Sequence, residues 1–208
     1  MDRPRKRHFS MIRDFQLADL LTLSNAFAGT IAILATMRYL VSGRPSYLWL
    51  AFAFMPVALV FDVLDGRVAR WRNEASHLGQ ELDSLADAVS FGVAPAVLGF
   101  AVGLQDTWDC VALVYFVGCG ISRLARYNAT ASDLSDESGK VQYFEGTPIP
   151  SSLLIVATLA VLAARGSIGV RLPLGVLELG PWQGHPIVLL FVLSGSAMIS
   201  KTLRIPKP

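Results

Sequence analysis

Residues 47–72 read YLWLAFAFMPVALVFDVLDGRVARWR, an unbroken apolar run that ends in two aspartates and three arginines. A helix needs about 20 mostly apolar residues to cross the hydrocarbon of a bilayer. The run from Tyr47 to Leu64 has nearly that length, and its only charge before Leu64 is Asp62. Five further apolar blocks surround it: Ala18–Thr36, Leu82–Leu104, Trp108–Leu124, Ile149–Ala164 and Pro186–Ile199. The last two are short, so their flanking residues must contribute to any span. Over the 208 residues, 53% are apolar and the mean hydropathy is +0.49. Only 16% are charged, against roughly 25% in a soluble domain. These blocks predict an all-α, polytopic membrane protein of about six transmembrane helices.

The cations orient those helices. Arg3, Arg5, Lys6, Arg7, Arg13, Arg67, Arg70, Arg72, Arg123, Arg126, Lys140, Lys201, Arg204 and Lys207 all fall at one face of a six-span chain. Arg38, Arg44, Arg165 and Arg171 fall at the other. Cytoplasmic loops carry the excess of Lys and Arg, so both termini are expected in the cytoplasm. Residues 1–17 form a basic N-terminal segment, and residues 18–208 form the transmembrane domain. No short apolar core with a cleavage site follows the basic tail, so no cleaved signal peptide is expected. A net charge of +2 gives no reason to expect a nucleic-acid partner. Cys110 and Cys119 sit in or beside an apolar block and read as packing residues.

Four carboxylates break the pattern. Asp62 and Asp65 close the second block, three residues apart; Asp83 and Asp87 open the third, four apart. Each pair therefore lies on one helix face. A short connection makes the two helices antiparallel neighbours, so the pairs can face each other. Carboxylates at membrane depth are costly unless paired, hydrated or metal-bound. One alone reads as a solvated helix end; four at helical spacing, interleaved with glycine and arginine, read as a metal site. Oxygen-only ligands suit Mg²⁺ or Mn²⁺, and also Ca²⁺. Gly66 and Gly79 remove side chains where a ligand or helix must approach closely. Arg70 can grip phosphate with two parallel hydrogen bonds. Metal, arginine and glycine together point to a diphosphate substrate with a metal-stabilised leaving group.

At this point the residues resemble a known family. Asp62, Asp65, Gly66, Ala69, Arg70, Gly79, Asp83 and Asp87 reproduce the eight fixed positions of the CDP-alcohol phosphotransferase signature, which spans 26 residues. Gly79–Pro95, Ser122–Asn128, Phe144–Pro150 and Leu23–Gly29 are similar to the serine branch, the CDP-diacylglycerol–serine O-phosphatidyltransferases, and most of all to its fungal members. The resemblance implies a six-helix homodimer with a membrane-embedded site open to the cytoplasm. It implies transfer of the phosphatidyl group from CDP-diacylglycerol to L-serine, giving phosphatidylserine and CMP. It makes Asp62, Asp65, Asp83 and Asp87 ligands of two Mg²⁺ or Mn²⁺ ions, and Asp87 the base for the incoming hydroxyl. Gly66, Ala69 and Arg70 match positions that cradle cytidine diphosphate, joined by Gly79 and, outside the signature, by Ser76. A fungal member implies the endoplasmic reticulum membrane and leaves room for residues ahead of Met1.

The serine carboxylate calls for a cation. Arg123 and Arg126, three apart at the end of the fourth block, are candidates for that carboxylate or the lipid phosphate. Plain cytoplasmic anchoring accounts for either arginine equally well. Tyr127, Asn128 and Phe144–Pro150 are further candidates for the pocket, although Pro148 and Pro150 also simply mark a helix start. His8, His77 and His185 are scattered and form no metal set. Trp49, Trp108 and Trp182 stand where aromatic-belt residues stand. Two rival functions are an enzyme of the same family that uses inositol or glycerol phosphate as acceptor, and a cation transporter. The transporter would need polar residues along several spans, whereas here they gather at one face.

Overall fold

In the computed structural model, residues 17–72, 77–130, 143–200 and 204–206 are described. The basic tail, Ser76 and the polar stretch 132–140 lie outside them. The described residues form a polytopic all-α membrane protein. Helix α1 spans Leu17–Ser42 and α2 spans Pro45–Arg72. They are joined by a turn in which Gly43 adopts φ 66°. The third apolar block is one continuous rod in three parts: α3 (His77–Asp87), a π-helical segment (Ala88–Val93) and α4 (Ala94–Val102). Helix α5 covers Thr107–Thr130. The two short blocks each begin with a 3₁₀ turn, at Ile149–Ser152 and Pro186–Val188, and continue as α6 (Leu153–Ala164) and α7 (Leu189–Ile199).

Four helical rods, Leu17–Ser42, Pro45–Trp71, Leu78–Val102 and Thr107–Ala129, are long and apolar enough to cross a membrane. The stretches Ile149–Ala164 and Pro186–Ile199 are shorter apolar helices, so all six sequence blocks are helical. Not every element was anticipated. Strand β1 (Tyr143–Glu145) pairs antiparallel with β4 (Arg204–Pro206). Strands β2 (Leu177–Leu179) and β3 (Trp182–Gly184) make a hairpin at the opposite end. Both ladders are three residues long and lie outside the apolar blocks, where periodicity carries little signal.

Packing explains the arrangement of the rods. Helix α1 buries Ala18, Thr22, Asn25, Gly29, Ala32 and Thr36, which recur at alternating steps of four and three. Such a stripe of small residues lets backbones approach closely where lipid offers no hydrophobic drive. At Gly29 the fit is tightest, because an added Cβ would lie 2.7 Å from the Ser90 Cα. The core itself is apolar, built on Met55, Phe91, Leu98, Phe116, Leu159 and Phe191, with Phe116 and Phe191 edge to face at 5.2 Å. The rods alternate in direction, so the start of α1, the end of α2, the start of α3 and the end of α5 share one end of the bundle. That end carries the carboxylates.

Candidate active site

The last turns of α2 and the whole of α3 bring the signature together. Asp62, Asp83 and Asp87 each offer a carboxylate oxygen, and those oxygens lie within 4.8 Å of one another. Asp87 is buried and the other two are half-buried. Asp83 Oδ1 is buried without a hydrogen-bond partner among the described residues. Three carboxylates so close repel one another, and an orphaned buried oxygen raises the cost further. A divalent cation answers both problems, so this donor set fits a hard metal ion. Asp65 stands outside the group of three. It is buried, and its Oδ2 accepts a hydrogen bond from Thr22 Oγ1 at 2.7 Å.

The nucleotide candidates follow on the same helix. Gly66 and Ala69 are half-buried and Arg70 is exposed, its guanidinium folded back so that Nη1 lies 3.5 Å from where a Gly66 side chain would begin. Arg70 is also close enough to Asp65 for their charges to interact. Gly79 is half-buried on α3, about one turn before Asp83 and two before Asp87. Ser76, the weakest of the nucleotide candidates, lies outside the described residues.

The second polar centre also borders this site. Arg123 is buried on α5, within electrostatic reach of Asp87, with its guanidinium 6.0 Å from the Tyr127 ring centre. Its Nε has no partner among the described residues. Arg126 is half-buried and makes interactions of its own. Asn128 bonds Ser84 twice, donating from Nδ2 to Oγ at 3.0 Å and accepting from Oγ on Oδ1 at 3.2 Å. This ties the end of α5 to the aspartate-bearing helix. The stretch from Phe144 to Pro150 instead docks on the end of α7, where the Thr147 amide donates to the Ala197 carbonyl at 3.2 Å.

Sequence reasoning missed the contribution of α1. Asn25, fully buried, donates from Nδ2 to Asp87 Oδ1 at 3.2 Å. Ser90 Oγ in turn donates to the Asn25 carbonyl at 2.9 Å. The available signal was a Thr and an Asn three apart in an apolar block, one helix face of polar atoms with no solvent to reach. A second cluster was also missed. His185, read as an isolated residue, meets Asp106 and Asp109 at the far end of the bundle. Its amide donates to Asp109 Oδ1 at 2.7 Å and its Nδ1 to Oδ2 at 2.7 Å. The partners are 76 residues apart, beyond any spacing argument.

Comparison with known proteins places this geometry. The family model described as CDP-alcohol phosphatidyltransferase matches residues 15–192. The chain belongs to that family. The enzyme of Saccharomyces cerevisiae named CDP-diacylglycerol–serine O-phosphatidyltransferase is 47% identical over 206 residues, covering 98% of this chain and 75% of the yeast protein. Proteins of the same name from Mycobacterium leprae and Methanocaldococcus jannaschii are 36% and 32% identical. They align with 80% and 71% of this chain, and with 53% and 62% of their own lengths. The higher identity to yeast agrees with the fungal character of the motifs.

Proposed function

We propose that this membrane protein is a phosphatidylserine synthase, transferring the phosphatidyl group of CDP-diacylglycerol to L-serine with release of CMP. The observation that carries this reading is the convergence of Asp62, Asp83 and Asp87 within 4.8 Å. The spacing of the signature supports it, as does the name of the yeast relative. Asp62, Asp65, Asp83 and Asp87 would hold two Mg²⁺ or Mn²⁺ ions. When bound, the metal neutralises the diphosphate and stabilises the departing CMP.

The chain's own residues supply the rest. Gly66, Ala69 and Gly79 leave room for the cytidine diphosphate, and Arg70 pairs with its phosphates; Ser76 completes the nucleotide side. Arg123 and Arg126 hold the serine carboxylate or the lipid-side phosphate. Asp87 takes the proton of the serine hydroxyl, whose oxygen bonds to the β-phosphorus as the bond from that phosphorus to the CMP oxygen breaks. None of the eight fixed positions of the signature is a Ser, Cys or His suited to a covalent intermediate, so displacement is direct. Residues 1–17 form a basic cytoplasmic tail ahead of the catalytic domain, 18–208. Both termini face the cytoplasm, the host membrane is the endoplasmic reticulum, and the working unit is a homodimer in lipid.

The test is purified protein in detergent with CDP-diacylglycerol, Mg²⁺ or Mn²⁺, and a panel of serine, inositol, inositol phosphate and glycerol phosphate. Phosphatidylserine and CMP should appear with serine only. Turnover with another acceptor instead would overturn the serine assignment and keep the chemistry. No CMP from any acceptor would overturn both.

A further inference from the structure

The eight fixed positions of the signature lie on α2 and α3, yet two of its four carboxylates are tied to α1. Thr22 and Asn25 are three apart and share one buried face of that helix. The Thr22 hydroxyl is shared between Asp65 Oδ2 at 2.7 Å and its own helix's Ala18 carbonyl at 3.1 Å. The shorter bond goes to the charged acceptor, as expected for a charge-assisted contact. Asn25 gives its Nδ2 to Asp87 Oδ1, while its own Oδ1 is buried with no partner among the described residues. An amide placed only for packing would pair both ends. This one leaves its acceptor unpaired and uses its donor on Asp87. The helix position is fixed from the other side by Ser90, whose hydroxyl holds the Asn25 carbonyl, and by the absence of a side chain at Gly29.

We propose that Thr22 and Asn25 are positioning residues of the metal centre. Each occupies one oxygen of a ligand carboxylate, Thr22 on Asp65 and Asn25 on Asp87, and thereby fixes which oxygen is left for the ion. Partners behind metal ligands orient them in this way, and their loss typically costs about 10–100-fold in metal affinity. The proposal rests on the reading of the four aspartates as metal ligands.

The test is Mn²⁺ binding to the purified protein, followed by electron paramagnetic resonance without substrate, alongside unfolding midpoints of the metal-free variants. Thr22→Val, which keeps the shape and removes the hydroxyl, and Asn25→Ala should each weaken Mn²⁺ binding about 10–100-fold. Thr22→Ser should restore it. In assays the metal concentration for half-maximal rate should rise by the same factor, with the rate at saturating metal largely regained. If both variants bind Mn²⁺ like the parent while Asp83→Asn loses it, the positioning role is overturned and the metal site stands. Equal losses in Thr22→Val and Thr22→Ser would also overturn it, since packing and not the hydroxyl would then be at work. Undiminished binding in Asp83→Asn would remove the metal reading and the positioning role together.

Discussion

Asp87 carries three demands at once: it closes the group of three carboxylates, accepts from Asn25, and stands within reach of the Arg123 charge. Replacing it by asparagine keeps the shape and removes both the negative charge and the proton acceptor. Turnover of Asp87→Asn should fall about 10²–10⁴-fold, the usual worth of a positioned base. Near-normal turnover would move the base elsewhere. Arg123→Ala should act differently. Losing a hydrogen bond to a charged group costs about 1.5–3 kcal/mol, so the KM for serine should rise roughly 10–100-fold if the guanidinium holds the carboxylate. An unchanged KM would return Arg123 to plain anchoring. At this scale the four aspartates were legible because their spacing in sequence is their spacing on a helix. The partition among them was not, since Asp65 finds Thr22 43 residues away and Asp87 finds Asn25 62 residues away.

Helices acquire their places through small contact surfaces. Gly29 on α1 packs against the π-helical segment so closely that a methyl group has no space beside Ser90. Part of the obstruction is backbone, which no rotamer change relieves. Gly29→Ala should therefore destabilise the fold by about 1–3 kcal/mol, read as a lower unfolding midpoint in detergent. It should also weaken activity, because Asn25 lies one turn away on the same buried face. The six apolar blocks foretold all six helical regions, and the ends shifted as caps and frayed turns usually make them shift. The π-helical segment had no sequence signal, because its backbone bonds are chosen by what packs around it.

Across the whole molecule, polar chemistry divides between two ends. One carries the aspartates and arginines of the site. The other carries Asp106, Asp109 and His185, where a buried carboxylate pins the β2–β3 hairpin to the start of α5. Asp109→Ala removes both of those bonds. The loss should cost about 1.5–3 kcal/mol of stability, measured as a lower unfolding midpoint, while kcat and KM of the folded enzyme stay near the parent values. A fall in kcat without a loss of stability would tie that end to the reaction. The helical membrane architecture was readable from the apolar blocks alone. The hairpin and its clamp were not: strands of three residues carry little periodic signal, and Asp109 meets His185 from 76 residues away.

The π-helical segment from Ala88 to Val93 has one more consequence. Its bonds close over five residues instead of four, so the rod takes up extra residues per turn there. The side chains before it and after it are consequently out of phase. Asp83 and Asp87 can look toward the aspartates of α2 while Leu98 and Val102, farther along the same rod, look into the apolar core on a bearing that an uninterrupted α-helix would not give them. Rewinding the segment as plain α-helix with every residue kept would swing one half of the rod by about 100° relative to the other. The carboxylate-bearing face and the packing face share one rod yet keep separate bearings, and the wide turn between them allows it.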